Sequence, residues 1–349
     1  MKEDFRGSLP ATQQELYASF APKTVDPDSF EIITGRGNIP LAQALGKLLG
    51  KTVDQSCSSF ADGEIDVTIT PNLRGRDVFI IQSMTPFPND RVQEVVFMAD
   101  ASRRADALKT SAIIPYFAYA RQDRKSKSRT PISAARVAKQ IIGAGVNRIF
   151  TIDLHAEQSE GSIDEAWDNV NSSKLIAELI KKNNLNDAVV LSPDTGSTKR
   201  SEKFSSHLNG ESDIAIVYKK RDVNKHDRTE SKFIIGDVKG RPVIIYDDLI
   251  STGSTLIDAA NLAKQNGAAE VIAAAAHGVF SPDKNGRTLP EKLKDPNCPI
   301  DKLIITDTIL QKEEVSRNEK ITIVSVAPII AVAILCYLTH DSIGRRLID

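Results

Sequence analysis

The stretch that decides the fold reads Val243-Ile-Ile-Tyr-Asp-Asp-Leu-Ile-Ser-Thr-Gly-Ser-Thr255. It begins as a continuous apolar run and reaches two adjacent carboxylates, Asp247 and Asp248, before an Ala- and Leu-rich helical pattern starts at Leu256. Continuous apolar runs of this length are typical of strands that are buried on both faces of a parallel sheet. The stretch therefore predicts a buried strand, a short loop of small residues and a helix.

The loop that follows the two acids is suited to binding an anion. Its residues are small or hydroxylated, namely Ser251, Thr252, Gly253, Ser254 and Thr255. Backbone N–H groups at a helix N-terminus bind phosphate, and the preceding carboxylates suit the hydroxyls of a phosphorylated sugar. The alternative is an ordinary strand-to-helix turn with Asp and Ser as caps, which explains one such residue but not the whole string.

Composition argues against several classes of protein. The chain has 349 residues, of which 41% are hydrophobic and 26% charged, and its net charge is -1. That length suits two domains with separate cores, and the near-neutral charge gives no support for a nucleic-acid partner. Three widely spaced cysteines form no metal or disulfide pattern, and residues 1–29 contain no apolar leader. A cytoplasmic protein is therefore predicted.

One apolar segment, residues 321–338, is long enough to be a membrane-spanning candidate. Pro328 divides it into a β-branched piece and an Ala/Ile/Leu piece that carries the proline in its first turn. A buried strand followed by a buried helix explains this pattern better, so no membrane partner is predicted. A helix that is apolar all round must be covered, and we expect an interface between copies of the chain to cover residues 329–338.

Strand-length apolar runs alternate with amphipathic helical patterns from Phe30 onward, which predicts an α/β fold of mostly parallel sheets covered by helices. The order of the pieces appears twice. Residues 31–49 recur as residues 189–208, and residues 78–108 recur in the same way as residues 243–265. The chain therefore predicts two similar domains, with ligands at the carboxyl ends of the strands.

The domain boundaries follow from this repeat. Residues 1–29 form an N-terminal extension with a helix at residues 11–20 or a loosely held arm. The first domain spans residues 30–170 and is completed by residues from about 330 to 349. The second domain spans residues 171–329.

A second strand-to-helix turn lies at residues 190–200. Mg²⁺ prefers one or two carboxylates together with substrate phosphates, so Asp194 alone is chemically sufficient for a metal site. Gly196 allows close approach of the backbone, and Lys199 and Arg200 are expected to neutralise phosphate.

Two further segments remain open to two interpretations each. His155 ends a strand beside acids, where it is either a hydrogen-bonded surface residue or a metal or nucleotide ligand. The basic segment 218–232 is either a solvated surface loop or a mobile lid whose cations close on phosphates. Its position between two loops of phosphate-binding type favours the lid. Residues 59–64, an aromatic beside two acids, and the basic residues 119–125 are weak signals when taken alone.

Together these strings resemble the ribose-phosphate diphosphokinase family, also called phosphoribosyl-pyrophosphate (PRPP) synthetases. The resemblance runs from Phe30 to about Leu338 and rests on three further runs, at residues 77–83, 114–124 and 153–158. It implies two similar phosphoribosyltransferase-like domains. It also implies transfer of the diphosphoryl group of Mg·ATP to O1 of ribose 5-phosphate for nucleotide biosynthesis, with Mg²⁺ as cofactor and self-association into hexamers.

The resemblance also implies a role for each candidate site residue. The residues expected to bind ATP are Phe60, Asp62, Gly63, Glu64, Arg121 and Gln122. The catalytic residues are Lys219 and Arg221, and the Mg²⁺ ligands are His155 and Asp194. The residues expected to bind ribose 5-phosphate are Arg221, Asp247, Asp248, Ser251, Thr252, Gly253, Ser254 and Thr255.

Two loops depart from the family pattern. The usual sugar-phosphate loop reads Asp-Thr-Gly-Gly-Thr, whereas this chain has serine at 251 and 254, and Ser197 stands where the other loop usually has a second glycine. These changes motivate an alternative, a non-catalytic or weakly active subunit that regulates active synthetases. A phosphoribosyltransferase that consumes PRPP is a third reading, but that reaction requires neither the residues around Phe60 nor paired domains.

Overall fold

The computed structural model describes residues 25–183, 185, 187–208, 213–221 and 230–348, with the backbone only for residues 219–221, 230, 231 and 348. These residues form two units. The N-terminal unit contains residues 25–171, 307–310 and 325–348, and the C-terminal unit contains residues 172–306 and 311–324. The helix predicted at residues 11–20 lies outside the described residues.

The N-terminal unit is built on a parallel sheet of six strands. Its elements up to residue 171 are β1 (Phe30–Thr34), α1 (Ile39–Leu49), β2 (Val53–Gln55), β3 (Cys57–Ser59), β4 (Ile65–Val67), β5 (Asp77–Ile81), α2 (Pro88–Arg104), β6 (Lys109–Ile114), α3 (Ser133–Gly143), β7 (Arg148–Ile152) and β8 (Ala166–Val170). The strand order is β2-β1-β5-β6-β7-β8 with every pair parallel, and β3 and β4 form a separate antiparallel hairpin.

The C-terminal unit contains a sheet of seven strands. Its elements are α4 (Ser173–Lys182), β9 (Val189–Ser192), α5 (Thr198–Leu208), β10 (Ile214–Arg221), β11 (Glu230–Ile235), β12 (Pro242–Ile250), α6 (Ser254–Gln265), β13 (Glu270–Gly278), α7 (Leu289–Lys292), β14 (Lys302–Thr306), α8 (Glu313–Ser316) and β15 (Ile321–Val324), after which α9 (Ala327–Leu338) belongs to the N-terminal unit. The strand order is β11-β10-β9-β12-β13-β14-β15, and only the edge strand β11 is antiparallel to its neighbour.

The two sheets share one topology, which confirms the predicted fold class. The orders β2-β1-β5-β6-β7-β8 and β10-β9-β12-β13-β14-β15 correspond position by position. The repeated segments occupy equivalent places, because β1–α1 matches β9–α5 and β5–α2 matches β12–α6. Strands such as β1 and β9 are buried along their whole length, as expected for strands covered on both faces.

The apolar segment near the C-terminus forms a buried strand, β15, and a separate buried helix, α9, with Pro328 in its first turn. Every residue from Ala327 to Cys336 is buried within the chain itself. The expectation that an interface between copies covers this helix is therefore wrong, because a hydropathy pattern reports that a helix is covered but not by what. Among the described residues, no helix combines the length and apolarity needed to cross a bilayer.

Some features depend on contacts that the local pattern does not contain. The hairpins β3–β4 and β10–β11 were not predicted, since their strands are short or polar. The chain returns to the N-terminal unit at Ser325, and residues 307–310 also belong to that unit. In the latter segment, Thr308 O accepts a hydrogen bond from Ser83 Oγ at 2.6 Å, and Asp307 O accepts one from Asn38 Nδ2 at 2.7 Å.

A pair of leucine truncations tests the packing of α1. Leu45 is fully buried (0% exposed), whereas Leu108 is 64% exposed. We expect Leu45→Ala to lower the free energy of unfolding by about 2–5 kcal/mol, because removal of the leucine side chain creates a cavity in the core. Leu108→Ala should change it by about 0.5 kcal/mol or less. Thermal or denaturant unfolding measures both, and equal losses in the two variants would contradict the burial of Leu45.

Candidate active site

Three adjacent strands of the C-terminal unit carry predicted site residues to one edge of the sheet. β9 lies between β10 and β12 and is parallel to both. Asp194 follows β9, Lys219 and Arg221 end β10, and Asp247 lies in the last part of β12. Because parallel strands end at the same edge, these backbone segments lie together. The side chains of Lys219 and Arg221, and residues 222–229 of the predicted lid, are outside the described part of the chain.

The loop of residues 251–255 leads directly into the N-terminus of α6, a helix of 12 residues. Gly253 has a φ of 72°, a left-handed conformation that favours glycine. The Ser254 N–H donates to Thr252 Oγ1 at 3.4 Å, and the two hydroxyls lie 3.1 Å apart. The first N–H groups of a helix have no partner within it and carry partial positive charge, so this loop is suited to an anion.

Asp194 caps the turn that leads into α5. Its Oδ1 accepts hydrogen bonds from Ser197 N at 2.9 Å and from Ser197 Oγ at 3.0 Å. An aspartate that accepts these hydrogen bonds acts as an ordinary cap of the turn. A carboxylate accepts through two oxygens, so capping through Oδ1 is compatible with a metal at Oδ2.

Arg200 on α5 binds the acidic pair. Its Nη1 contacts Asp247 Oδ1 and lies 2.8 Å from Asp248 Oδ1. The expectation that Arg200 neutralises substrate phosphate is therefore not supported, because its guanidinium already pairs with two carboxylates. The sequence shows that Arg200 is a cation but does not show that it pairs with Asp247, which lies 47 residues further along the chain.

Burial alters the acidity of the pair. Desolvation, followed by the hydrogen bond and charge of Asp248, raises the pKa of Asp247, although Arg200 opposes the shift. The Asp248 N–H also donates to Asp247 Oδ1 at 2.9 Å. Two close carboxylates resist holding two negative charges, so this pair retains a proton more readily than exposed carboxylates do.

The turn of the β3–β4 hairpin presents Phe60 to solvent. The Phe60 N–H donates to Glu64 O at 2.9 Å, and the Glu64 N–H donates to Asp62 Oδ1 at 3.1 Å. Gly63 takes a φ of 95°, which this tight turn requires. The Phe60 side chain is 56% exposed, which is unusual for phenylalanine and leaves a ring face available for stacking.

The loop after β6 carries Arg121 and Gln122, which are both exposed. Gln122 is held in place, since its Oε1 accepts a hydrogen bond from Ser133 Oγ at the start of α3, at 2.6 Å. His155 is exposed in the loop after β7, the neighbouring strand. The two loops are joined by a hydrogen bond of 3.0 Å from Gln158 Nε2 to Asp123 Oδ2.

Comparison with known proteins places this geometry in a family. A model described as the N-terminal domain of ribose phosphate pyrophosphokinase matches residues 30–145, and one for a phosphoribosyl synthetase-associated domain matches residues 228–347. A ribose-phosphate pyrophosphokinase from Caldanaerobacter subterraneus subsp. tengcongensis is 43% identical over 310 residues, covering 88% of this chain and 94% of that protein. The chain belongs to the ribose-phosphate pyrophosphokinase family.

Other members agree with this assignment. The ribose-phosphate pyrophosphokinase of Vibrio cholerae is 41% identical over 320 residues, covering 91% of this chain and 98% of that protein. The crystal structure of phosphoribosylpyrophosphate synthetase from Mycobacterium smegmatis superimposes with a TM-score of 0.80 at 36% identity, covering 89% of this chain and 99% of that one. The resemblance inferred from the sequence is confirmed, and the enzyme class is a transferase of diphosphate groups.

A buried cluster that sequence reasoning missed supports the Phe60 hairpin of this pyrophosphokinase family member. Glu94 on α2 is fully buried and pairs with Arg36 Nε and Arg91 Nη1, each at 2.5 Å. The Arg36 guanidinium also donates a hydrogen bond to Ser59 Oγ, in the residue directly before Phe60. Glu94 lies in an amphipathic pattern and resembles an ordinary surface acid, so no local sequence signal predicts this role.

Removal of the negative charge at Asp247 tests the electrostatics of the acidic pair. Because its folded-state pKa is raised, the charged form destabilises the fold. That cost is absent below the unfolded-state pKa, grows as the pH rises toward the raised value and is complete above it. We expect Asp247→Asn to raise the melting temperature at pH 8 by about 2–4 °C and by less at pH 5.

The exposed Asp164 provides the matched control for this measurement. Asp164→Asn should shift the melting temperature equally at both pH values. A melting temperature of Asp247→Asn that stays at or below the wild-type value at pH 8 would contradict the raised pKa.

Proposed function

We propose that this chain transfers the β,γ-diphosphoryl group of Mg·ATP to O1 of ribose 5-phosphate, giving 5-phosphoribosyl 1-diphosphate and AMP for nucleotide biosynthesis. The observation that carries the proposal is the acidic pair followed by the 251–255 loop at the N-terminus of α6, in a chain that is 43% identical to a ribose-phosphate pyrophosphokinase over 88% of its length. The acidic pair suits the ribose hydroxyls, and the 251–255 loop suits the 5-phosphate.

In this proposal Asp247 and Asp248 accept hydrogen bonds from the ribose hydroxyls. The 251–255 loop binds the 5-phosphate through backbone N–H groups and through the hydroxyls of Ser251, Thr252, Ser254 and Thr255. The left-handed Gly253 and the position of the loop at the N-terminus of α6 support this assignment. Arg200 holds both carboxylates in place, so their orientation is set before the sugar binds.

The adenine base is assigned to the Phe60 hairpin. Phe60 stacks on the base, Asp62, Gly63 and Glu64 contact its edge, and Arg121 and Gln122 assist. The exposure of all five residues from 60 to 64 supports a contact with a ligand rather than with the core. The stacking geometry that aromatic rings prefer requires one open face, which the 56% exposure of Phe60 provides.

His155 and Asp194 are assigned to Mg²⁺. The fit rests on chemistry: Asp194 offers a hard carboxylate oxygen, and Mg²⁺ is held by one or two carboxylates and by the substrate's own phosphates. The described residues contain no cluster of three or more His, Cys, Asp or Glu side chains that could hold a metal. When bound, Mg²⁺ neutralises charge on the phosphate oxygens.

The protein's own contribution is positioning and charge neutralisation. The O1 hydroxyl must lie in line with the β-phosphorus, and the AMP oxygen leaves on the opposite side. Lys219 and Arg221, two positions apart in β10, are assigned to the negative charge that develops on the transferred group and on AMP. The reaction needs no protein nucleophile.

Lysine substitutions in β10 test this mechanism. The assay is release of AMP from ATP, which we expect to require both Mg²⁺ and ribose 5-phosphate. Lys219→Ala should lower kcat by about a hundredfold, because it removes a charge that acts on the transition state, while the KM values change little. The adjacent Lys220→Ala is the matched control and should retain most of the activity. Equal turnover in Lys219→Ala and wild type would refute the assigned role.

The non-catalytic alternative is not favoured. It rests on serine at positions 197, 251 and 254, but none of these residues has a left-handed backbone. Ser197 completes the Asp194 cap, and Ser254 is the first residue of α6. Both side chains are therefore accommodated without backbone strain.

We propose that the chain acts in the cytoplasm and assembles as a hexamer, as expected from its family. Exposed aromatic side chains at α2 support a contact with other copies, since Phe87 is 67% exposed and Phe97 is 43% exposed. Light scattering should give a particle of six times the 38.1 kDa chain mass. A monodisperse monomer at working concentration would contradict the proposal.

A further inference from the structure

A turn and a short helix, residues 283–292, lie behind the 251–255 loop in the C-terminal unit. The Lys292 Nζ at the end of α7 lies 2.8 Å from Asp283 Oδ2 and donates to the backbone oxygen of Thr252 at 3.4 Å. The Lys292 and Asp283 side chains are only 15% and 14% exposed. The ammonium is thus held between a carboxylate and the loop.

The Asp283 side of this contact is itself fixed. Asp283 Oδ1 accepts the N–H groups of Asn285 at 2.8 Å and Arg287 at 3.0 Å. Lys292, with these donors, lowers the pKa of Asp283 to about 2, so the carboxylate stays charged at neutral pH. A capping box between Thr288 and Glu291 begins α7, and Leu289 of that helix is fully buried.

The contact with Thr252 has a consequence for the next peptide group. In a planar trans peptide the C=O and the following N–H point in opposite directions. A Thr252 carbonyl held on the α7 side therefore directs the Gly253 N–H away from α7. Leu289 closes the space behind Gly253, because a Cβ at that position would lie 3.0 Å from Leu289 Cβ. Packing and the ammonium both oppose a flip of this peptide.

We propose that Lys292 is a positioning residue for ribose 5-phosphate: it anchors the Thr252 carbonyl and so aims the Gly253 N–H at the 5-phosphate. This inference rests on the proposed function of the 251–255 loop. Donors that are oriented before the ligand arrives bind it without the cost of reorganisation. The effect should appear in the affinity for the sugar phosphate and not in the affinity for ATP.

Calorimetry of ribose 5-phosphate binding tests the role directly. Lys292→Met removes the ammonium but keeps a side chain of similar length, and we expect binding to weaken about tenfold while the KM for ATP is unchanged. Lys294→Met, at an exposed lysine two residues further on, is the matched control and should bind as wild type does. Unchanged ribose 5-phosphate affinity in Lys292→Met, or equal losses for both substrates, would overturn the proposal.

A double variant separates positioning from simple charge attraction. Asp283→Asn combined with Lys292→Met preserves the net charge, so under the positioning role binding stays about tenfold weaker. Return to wild-type affinity would show that only net charge matters and would overturn the role. Lys292→Arg retains a donor and should recover most of the affinity.

Should Lys292→Met fail to fold, Asp283→Asn alone decides the question. This variant releases the ammonium from its anchor, and we expect a loss of about threefold in ribose 5-phosphate affinity with none for ATP; an unchanged affinity refutes the role. Because binding is measured directly, wild-type protein that binds the sugar phosphate but releases no AMP would refute the proposed reaction and not the positioning role.

Discussion

The parallel pairing of β9 with β10 and β12 is the constraint on which the candidate site depends. The register aligns Ile216 of β10 with Ser192 of β9, and Ile244 of β12 with Val190 of β9. The segments that follow therefore start within a few residues of one another at one edge of the sheet. Since β9 is buried on both faces, a slip in register by one residue would turn its side chains to the wrong faces.

Ion pairs fix side chains close to the predicted site residues in each unit. In the N-terminal unit, Glu94 is fully buried between two arginines, one of which reaches the hairpin that carries Phe60. In the C-terminal unit, Arg200 holds Asp247 and Asp248. Glu94 and Arg91 are the buried pair of the two clusters (0% and 8% exposed side chains), and removing Arg91 would leave an uncompensated buried charge, which costs about 3–5 kcal/mol.

The shared topology also explains how one fold presents two different sets of predicted site residues. Both units follow the same strand order and each contains a hairpin: β3–β4 follows β2 in the N-terminal unit, whereas β10 itself pairs with β11 in the C-terminal unit. In the N-terminal unit that hairpin, β3–β4, exposes Phe60. In the C-terminal unit the hairpin of β10 and β11 carries Lys219 and Arg221 in its first strand. The scaffold is common, and the chemistry lies in the loops.

The sequence by itself determined the α/β class and the repeated order of elements, and it predicted the loop that joins β12 to α6. These features are encoded locally, because apolar continuity, periodicity and a glycine before a helix each depend on neighbouring residues. Only the tertiary structure decided that Arg200 pairs with the acids, that Lys292 reaches the Thr252 carbonyl and that the chain itself covers α9. A charged side chain finds its partner through the packing of distant segments, and an apolar helix is covered by whichever surface the fold brings to it. The local pattern of residues therefore predicts neither the ionic partner nor the covering surface.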